Sequence, residues 1–349
     1  MHTRVCRIHA ARDIRVETDP LPEPGPAQVI VAMAAAGICG SDLHYYHDGG
    51  FGPIRVREPM ILGHEGAGVV AALGPGVTGL AVGDRVAVNP SRPCGTCSYC
   101  VEGLTTHCLN MRFYGSAMRF PHEQGLFRDK LLTDAAQCHK LSDHVTISEG
   151  ACAEPLAVCL HARHMAGEVR GKRVLVTGSG PIGVLCAAVA AEAGAAEIVV
   201  TDLQDAPLEV ARRMGATRTV NIAREVEAMA AYAVDKGHFD LVFECSAAAP
   251  AIHSAIAALR PQGTYVQVGV TGDVPLPVNL IVGKELCLQG TQRFRAEEFA
   301  EAVRLISSRR IDLRAMISGS FPLEQAEEAF RMAADRSRAV KVHLTFADS

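Results

Sequence analysis

The sequence predicts a two-part α/β chain in which a β-rich unit is joined to a doubly wound parallel sheet. Three observations predict it. From Gly171 onward, strand-like apolar runs alternate with helical ones. A glycine fingerprint links the first such strand to the first such helix. Before residue 150, glycine and proline break the chain into short strands instead. With 349 residues and 48% apolar composition, the chain is long enough to bury more than one core.

In the first unit, the alternation in Val29-Ile30-Val31-Ala32 and the punctuation at Pro20, Pro22, Pro24 and Pro26 suit short strands. Glycines crowd residues 63–84 around the strand-like Val69–Leu73 and are followed by Asp84–Val88, as in the tight turns of a small barrel. A last apolar alternation, Val340–Leu344, is expected to be a strand that returns to this unit.

In the second unit, the strand Arg173–Thr177 runs into Gly178-Ser179-Gly180-Pro181-Ile182-Gly183, and a helical run follows from Val184. A second strand, Ile198–Thr201, ends in Asp202. In that setting the glycines admit a pyrophosphate to a helix N-terminus, whose free N–H groups and dipole favour anions, and Asp202 accepts hydrogen bonds from an adenosine ribose. Gly178, Gly180, Pro181, Ile182, Gly183 and Asp202 are therefore candidate cofactor residues. An acid at 202 repels a 2′-phosphate, which favours NAD, while Arg212 and Arg213 leave NADP open. The alternation continues through Phe239–Glu244 and Thr264–Gly269. Ligand is expected at the carboxyl ends of these strands, which adds Val268 and Val270.

The chemistry is concentrated in two places. Gly63-His64-Glu65, with Cys39 upstream in Gly37–Asp42, offers imidazole, carboxylate and thiolate, the mixed donor set that suits a catalytic zinc with one open position. Glu154, set among Ala, Leu, Val and Cys, is costly to bury unless paired or near a metal, and is the candidate third protein group. Ser41 and His44 are candidate proton carriers, and Ser41 also suits a helix start. The second place is Cys94, Cys97, Cys100 and Cys108, whose C-x2-C-x2-C-x7-C spacing matches a closed tetrahedral zinc site. No Lys or Arg falls within 94–108, which disfavours a nucleic-acid zinc ribbon. Arg112 and Arg119 sit in an aromatic and basic stretch where they could face an anionic substrate or simply water.

A net charge of −4 gives no electrostatic footprint for nucleic acid or an anionic membrane. No window is apolar enough for a membrane helix or a signal core, so the chain is expected to be cytoplasmic and to act on a small molecule. Twelve cysteines in a reducing compartment point to metal ligands and buried thiols instead of disulfides.

Together these residues resemble the zinc-containing medium-chain dehydrogenase/reductase family. The match to G-H-E-x2-G-x5-G-x2-V at Gly63, His64, Glu65, Gly68, Gly74 and Val77 carries the resemblance, which spans essentially the whole chain. Gly37–Tyr46, Met111–His122, Glu154–Val158 and Arg293-Phe294 point to its polyol branch. The resemblance implies a GroES-like catalytic domain made from 1–150 and 286–349, with a zinc lobe at about 90–110, and a Rossmann domain at 151–285. It implies catalytic zinc on Cys39 and His64, with Glu65 and Glu154 beside it, one coordinating directly and the other through water. Alcohol dehydrogenases with a Cys2His site carry cysteine where Glu154 stands, so this chain departs toward the polyol pattern. Structural zinc on Cys94, Cys97, Cys100 and Cys108, a relay through Ser41 and His44, and substrate contacts from Tyr45, Arg293 and Phe294 follow in the same way. So does a homotetramer or homodimer.

The expected reaction is oxidation of a secondary alcohol on a sugar acid with hydride transfer to NAD(P), the substrate carboxylate pairing with Arg112, Arg119, Arg293 or Arg295. The alternatives are a neutral-polyol dehydrogenase and, in another class, a non-catalytic zinc-clipped nucleotide-binding protein.

Overall fold

The computed structural model describes residues 1–270 and 272–346. One sheet is built around the strand Gln28–Gly37, which pairs antiparallel with Glu65–Leu73 along its length and with both Lys130–Asp134 and Lys341–Thr345. Arg85–Val88 and Cys138–Lys140 extend the sheet beyond Glu65–Leu73, and Ile317–Pro322 extends it beyond Lys341–Thr345. The hub strand reads Val-Ile-Val-Ala-Met-Ala-Ala-Ala because it is buried on both faces. Its partner must come close: a Cβ on Gly68 would stand 2.1 Å from the Ala32 carbonyl oxygen. The expected return of the last strand is observed, with His343 opposite Gly37.

The other sheet has six strands, all parallel, in the order Arg218–Asn221, Glu197–Asp202, Arg173–Thr177, Phe239–Glu244, Leu259–Gln267, Cys287–Gly290. The helices Pro181–Glu192, Asp205–Arg213 and Ala249–Ala258 connect and cover these strands, so Val174-Leu175-Val176 and Leu241-Val242-Phe243 are apolar throughout and fully buried. Winding reverses between Arg173–Thr177 and Phe239–Glu244, which opens a ligand crevice at their carboxyl ends. The fifth strand begins at Leu259, earlier than the sequence pattern predicts, because Leu259 pairs with Phe239 across a register shift. The structure adds the strand Ile317–Pro322 and the helix Ala326–Ala334, both unassigned from the sequence, and the amphipathic face of this helix buries Ala326, Ala329 and Phe330. Among the described residues no helix is long and apolar enough to cross a membrane.

The helix Ala153–Met165 and the helix Ala296–Ser307 lock together through Glu298. Its buried carboxylate meets His161 Nδ1 at 2.9 Å and His164 Nδ1 at 2.8 Å, and it accepts the Arg295 N–H at 2.7 Å. Burial alone would raise the Glu298 pKa, but the two imidazoles and the N–H outweigh it and bring it down to about 2. A depressed carboxylate stabilises the fold fully above its ordinary pKa and loses that contribution as pH falls toward 2. Glu298→Gln should therefore cost on the order of 3 kcal/mol at neutral pH and flatten the loss of stability below about pH 4.5. Urea melts at stepped pH check this, and parallel wild-type and variant curves would contradict it.

Candidate active site and metal centres

Cys39 caps the helix Gly40–Asp48, and Asp42 in its first turn accepts the Cys39 N–H at 3.0 Å and the Gly63 N–H at 3.1 Å. Asp42 has 0% exposure, and these bonds offset its burial. They draw the thiol toward the start of Glu65–Leu73, where Gly63 turns the chain at φ +89°. Cys39 Sγ, a His64 ring nitrogen and a Glu65 oxygen consequently lie within 4.8 Å of one another.

Both Glu65 oxygens accept hydrogen bonds from Lys341 Nζ, at 2.8 and 2.7 Å, in a pair whose side chains are each 1% exposed. Lys341 also donates to the Ile38 carbonyl at 3.2 Å. Glu154, in the first turn of Ala153–Met165, stands outside the tight trio. Burial pushes its pKa up to about 7, against the pull of His64. At His64 itself, burial opposes the charged ring, yet Asp42, Cys39 and Glu154 outweigh burial and raise its pKa. Negative charge is thus in surplus around the imidazole. A thiolate, an imidazole and a carboxylate in such a field fit zinc, with room left for a substrate oxygen.

Cys94, Cys97, Cys100 and Cys108 also gather within 4.8 Å of one another. Backbone N–H groups point at the sulfurs, Cys94 N–H to Cys108 Sγ at 3.2 Å and Cys97 N–H to Cys94 Sγ at 3.4 Å. The Thr96 and Cys97 backbone N–H groups pull the Cys94 thiol down, favouring the thiolate a metal requires. Four sulfurs leave no open position, so this second centre would be structural.

A cavity of about 520 Å³ faces the first centre. Ser41, Tyr45, His64, Phe113, Val158 and Arg293 are among its lining residues, together with Val268, Val270 and Thr291 from the end of the parallel sheet. A second cavity, of about 290 Å³, is lined by Gly178, Asp202, Ser246 and Ala248 at the carboxyl ends of the parallel strands. Gly178 has φ +84°, and a Cβ on Gly183 would stand 1.8 Å from Gly178 O, so the strand-to-helix turn requires both glycines. Pro181 opens the helix that Gly180 caps, leaving its N-terminal N–H groups free. The buried hydroxyls of Ser179 in the turn and Thr291 in the larger cavity have no hydrogen-bond partner. A dinucleotide lying from one cavity to the other fits these features.

The remaining predicted residues divide. Arg293 lines the large cavity with its guanidinium 5.4 Å from the Phe113 ring centroid, and the Tyr45 hydroxyl accepts the Ala117 N–H at 3.2 Å. His44 is exposed, one turn from Ser41, and meets Asp48 at 3.2 Å. Arg112 pairs with Glu123 at 2.6 Å, Arg119 bonds Asn110 at 3.1 Å, and neither lines the cavity. Phe294 packs into the core, its ring centroid 5.7 Å from that of Phe299. Sequence reasoning missed the roles of Asp42 and Lys341. Asp42 lay inside the quoted Cys39 stretch, and Lys341 was a lone cation in an apolar strand, a signal that could have been read. Lys341→Met should destabilise the metal-free chain by about 3 kcal/mol, because it leaves Glu65 buried without its cation. Excess zinc should restore part of the loss. Denaturant melts with and without the metal test this, and an unchanged midpoint would contradict it.

Comparison with known proteins agrees with this geometry. Residues 25–143 match the alcohol dehydrogenase GroES-like domain, and residues 181–308 match the zinc-binding dehydrogenase family. The chain is 40% identical to an L-idonate 5-dehydrogenase (NAD(P)(+)) of Escherichia coli K12, over 91% of both chains. It is 38% identical to the sorbitol dehydrogenase of Gallus gallus, over 97% of this chain and 94% of the other. The crystal structure of the Escherichia coli L-idonate 5-dehydrogenase superposes with a TM-score of 0.93 at 38% identity, covering 99% of each chain. With these matches over nearly its whole length, the chain belongs to the zinc-binding dehydrogenases, as a medium-chain oxidoreductase with a GroES-like unit and a Rossmann-type sheet.

Proposed function

We propose that the chain oxidises the secondary alcohol of a sugar acid, L-idonate to 5-keto-D-gluconate, with NAD as acceptor and NADP as an alternative. The observation that carries this reading is the trio of Cys39, His64 and Glu65 beside a cavity that His64 lines together with Arg293, Val268 and Val270. When bound, zinc on that trio would polarise the substrate oxygen and the nicotinamide would accept the hydride. Glu154 supplies further negative charge beside the trio, and Lys341 fixes and neutralises Glu65. Ser41 takes the alcohol proton and hands it toward His44, which is exposed and can release it to water. Arg293 pairs with the substrate carboxylate. Tyr45 shapes the same cavity.

Cys94, Cys97, Cys100 and Cys108 would hold a second, structural zinc. The division into a catalytic unit of 1–150 and 286–349 around a nucleotide unit of 151–285 is supported by the two sheets, with the sixth parallel strand carrying the nucleotide unit on to Gly290.

A neutral polyol such as sorbitol or xylitol is the second reading. It is favoured by the cavity wall, where Arg293 is the sole Lys or Arg among the described lining residues. Thiolate ligands stay reduced in the cytoplasm, where we place the chain. We also infer a homo-oligomer, tetramer or dimer. Among the described residues the edge strand Cys287–Gly290 has no partner on one side, and Val270, Val278 and Val282 are exposed. Light scattering should return a multiple of the chain mass, and a monomer at micromolar concentration would contradict the inference.

Purified chain with NAD should turn over L-idonate at least about tenfold faster, in kcat/KM, than sorbitol or xylitol, a difference of about 1.4 kcal/mol in transition-state binding. The reverse ranking would move the assignment to neutral polyols. Cys39→Ser should abolish turnover while the four-cysteine lobe keeps its zinc and the melting temperature holds. Undiminished turnover in that variant would contradict the proposal.

A further inference from the structure

The carboxylate oxygens of Asp202 are more engaged within the protein than the sequence suggests. Its Oδ2 accepts the Ser179 N–H at 2.7 Å, and its Oδ1 accepts the N–H groups of Leu203 at 2.7 Å and Gln204 at 3.0 Å. The cations that the sequence placed near it are turned elsewhere. Arg212 is paired with Glu209 and bonds Thr219, and Arg213 lines a different cavity beside Arg310. Among the described residues that line the nucleotide cavity the sole cation is Arg336, which comes from the far end of the chain.

Arg336 lies between the helix Ala326–Ala334 and the strand Lys341–Thr345, yet its guanidinium reaches across to the parallel-sheet unit. It covers the glycine turn so closely that a Cβ on Gly180 would stand 2.7 Å from Nη2. Gly180 is the N-cap of Pro181–Glu192, an end that carries partial positive charge and free N–H groups. A cation held there is disfavoured unless an anion lies between it and the helix. Asp202 Oδ2, 3.8 Å away, forms an ion pair with the guanidinium but no hydrogen bond, so the guanidinium N–H donors stay open to a further acceptor. Independently, the Ser179 hydroxyl in the same turn is fully buried and has no partner. A guanidinium, free helix N–H groups and an unpartnered hydroxyl in one turn are a set that suits an anion with several acceptor oxygens.

We propose that Arg336 is a phosphate-binding residue that closes the C-terminal segment over the dinucleotide, contacting its pyrophosphate. The proposal rests on the dinucleotide reading above. Phosphate could also be presented as the 2′-phosphate of NADP, beside Asp202. The segment that carries Arg336 leads directly into the strand that carries Lys341, so the nucleotide and metal sites are joined by a few residues of chain.

The test is fluorescence titration of purified, zinc-loaded chain with NADH and NADPH, and calorimetric titration with adenosine, which has no phosphate. Arg336→Gln should weaken NADH and NADPH alike by about tenfold, the scale of one charge-assisted contact, and leave adenosine unchanged. Arg336→Lys should recover part of the loss. A loss confined to NADPH would still support a phosphate contact, at the 2′ position. Unchanged dissociation constants for both dinucleotides, or an equal loss for adenosine, would overturn the proposal while leaving the dinucleotide reading intact. Wild-type chain that binds neither dinucleotide would overturn both.

Discussion

Three buried carboxylates and a thiol converge on one imidazole, and one buried ammonium answers them. Asp42, Glu65 and Glu154 are each nearly inaccessible, Cys39 stands beside them, and Lys341 is consumed by Glu65. Desolvating charge is expensive, and the compensation here is incomplete: the Glu154 pKa is pushed up to about 7 and that of His64 is raised. An arrangement that strains toward positive charge at one point is an arrangement built for a cation. The rest of the catalytic unit can be understood as the means of holding that point in place.

The means are local and legible once seen together. Asp42 fixes a helix N-cap to a strand start, bringing residue 39 to residue 64. The hub strand Gln28–Gly37 then brings the last strand of the chain alongside, which is what delivers Lys341 from hundreds of residues away. The parallel sheet contributes part of the cavity lining through Val268 and Val270, at the carboxyl end of a strand where such folds place ligands. Chemistry at a cleft between two units lets each unit keep its own core while the reacting atoms meet between them.

Much of this was legible in the sequence, for physical reasons. Buried parallel strands must be apolar throughout, so Arg173–Thr177 and Phe239–Glu244 stood out. A turn that no side chain can enter must be glycine, so Gly178 and Gly183 did too. Closely spaced cysteines need no tertiary knowledge to be grouped. What stayed hidden depends on long-range placement. Arg336 is unremarkable in sequence and Lys341 stands out only as a cation in an apolar strand, and it is the strand pairing and the chain path that bring one over Gly180 and the other to Glu65. Arg112 and Phe294 show the converse, since a suggestive local motif does not fix which way a side chain turns. The first answers Glu123, and the second fills the core. In the segment from 309 to 339 the helix Ala326–Ala334 does carry a helical period, burying Ala326, Ala329 and Phe330, whereas the short strand Ile317–Pro322 is at most half-buried and gives little signal.

The claim that everything else leans on is a mixed-donor zinc at Cys39, His64 and Glu65, distinct from the all-sulfur lobe. Zinc K-edge X-ray absorption on the fully loaded chain tests it most directly. The account predicts a first shell that combines sulfur at about 2.3 Å with nitrogen and oxygen at about 2.0–2.1 Å. A shell of sulfur alone, in protein that turns over its substrate, would contradict it.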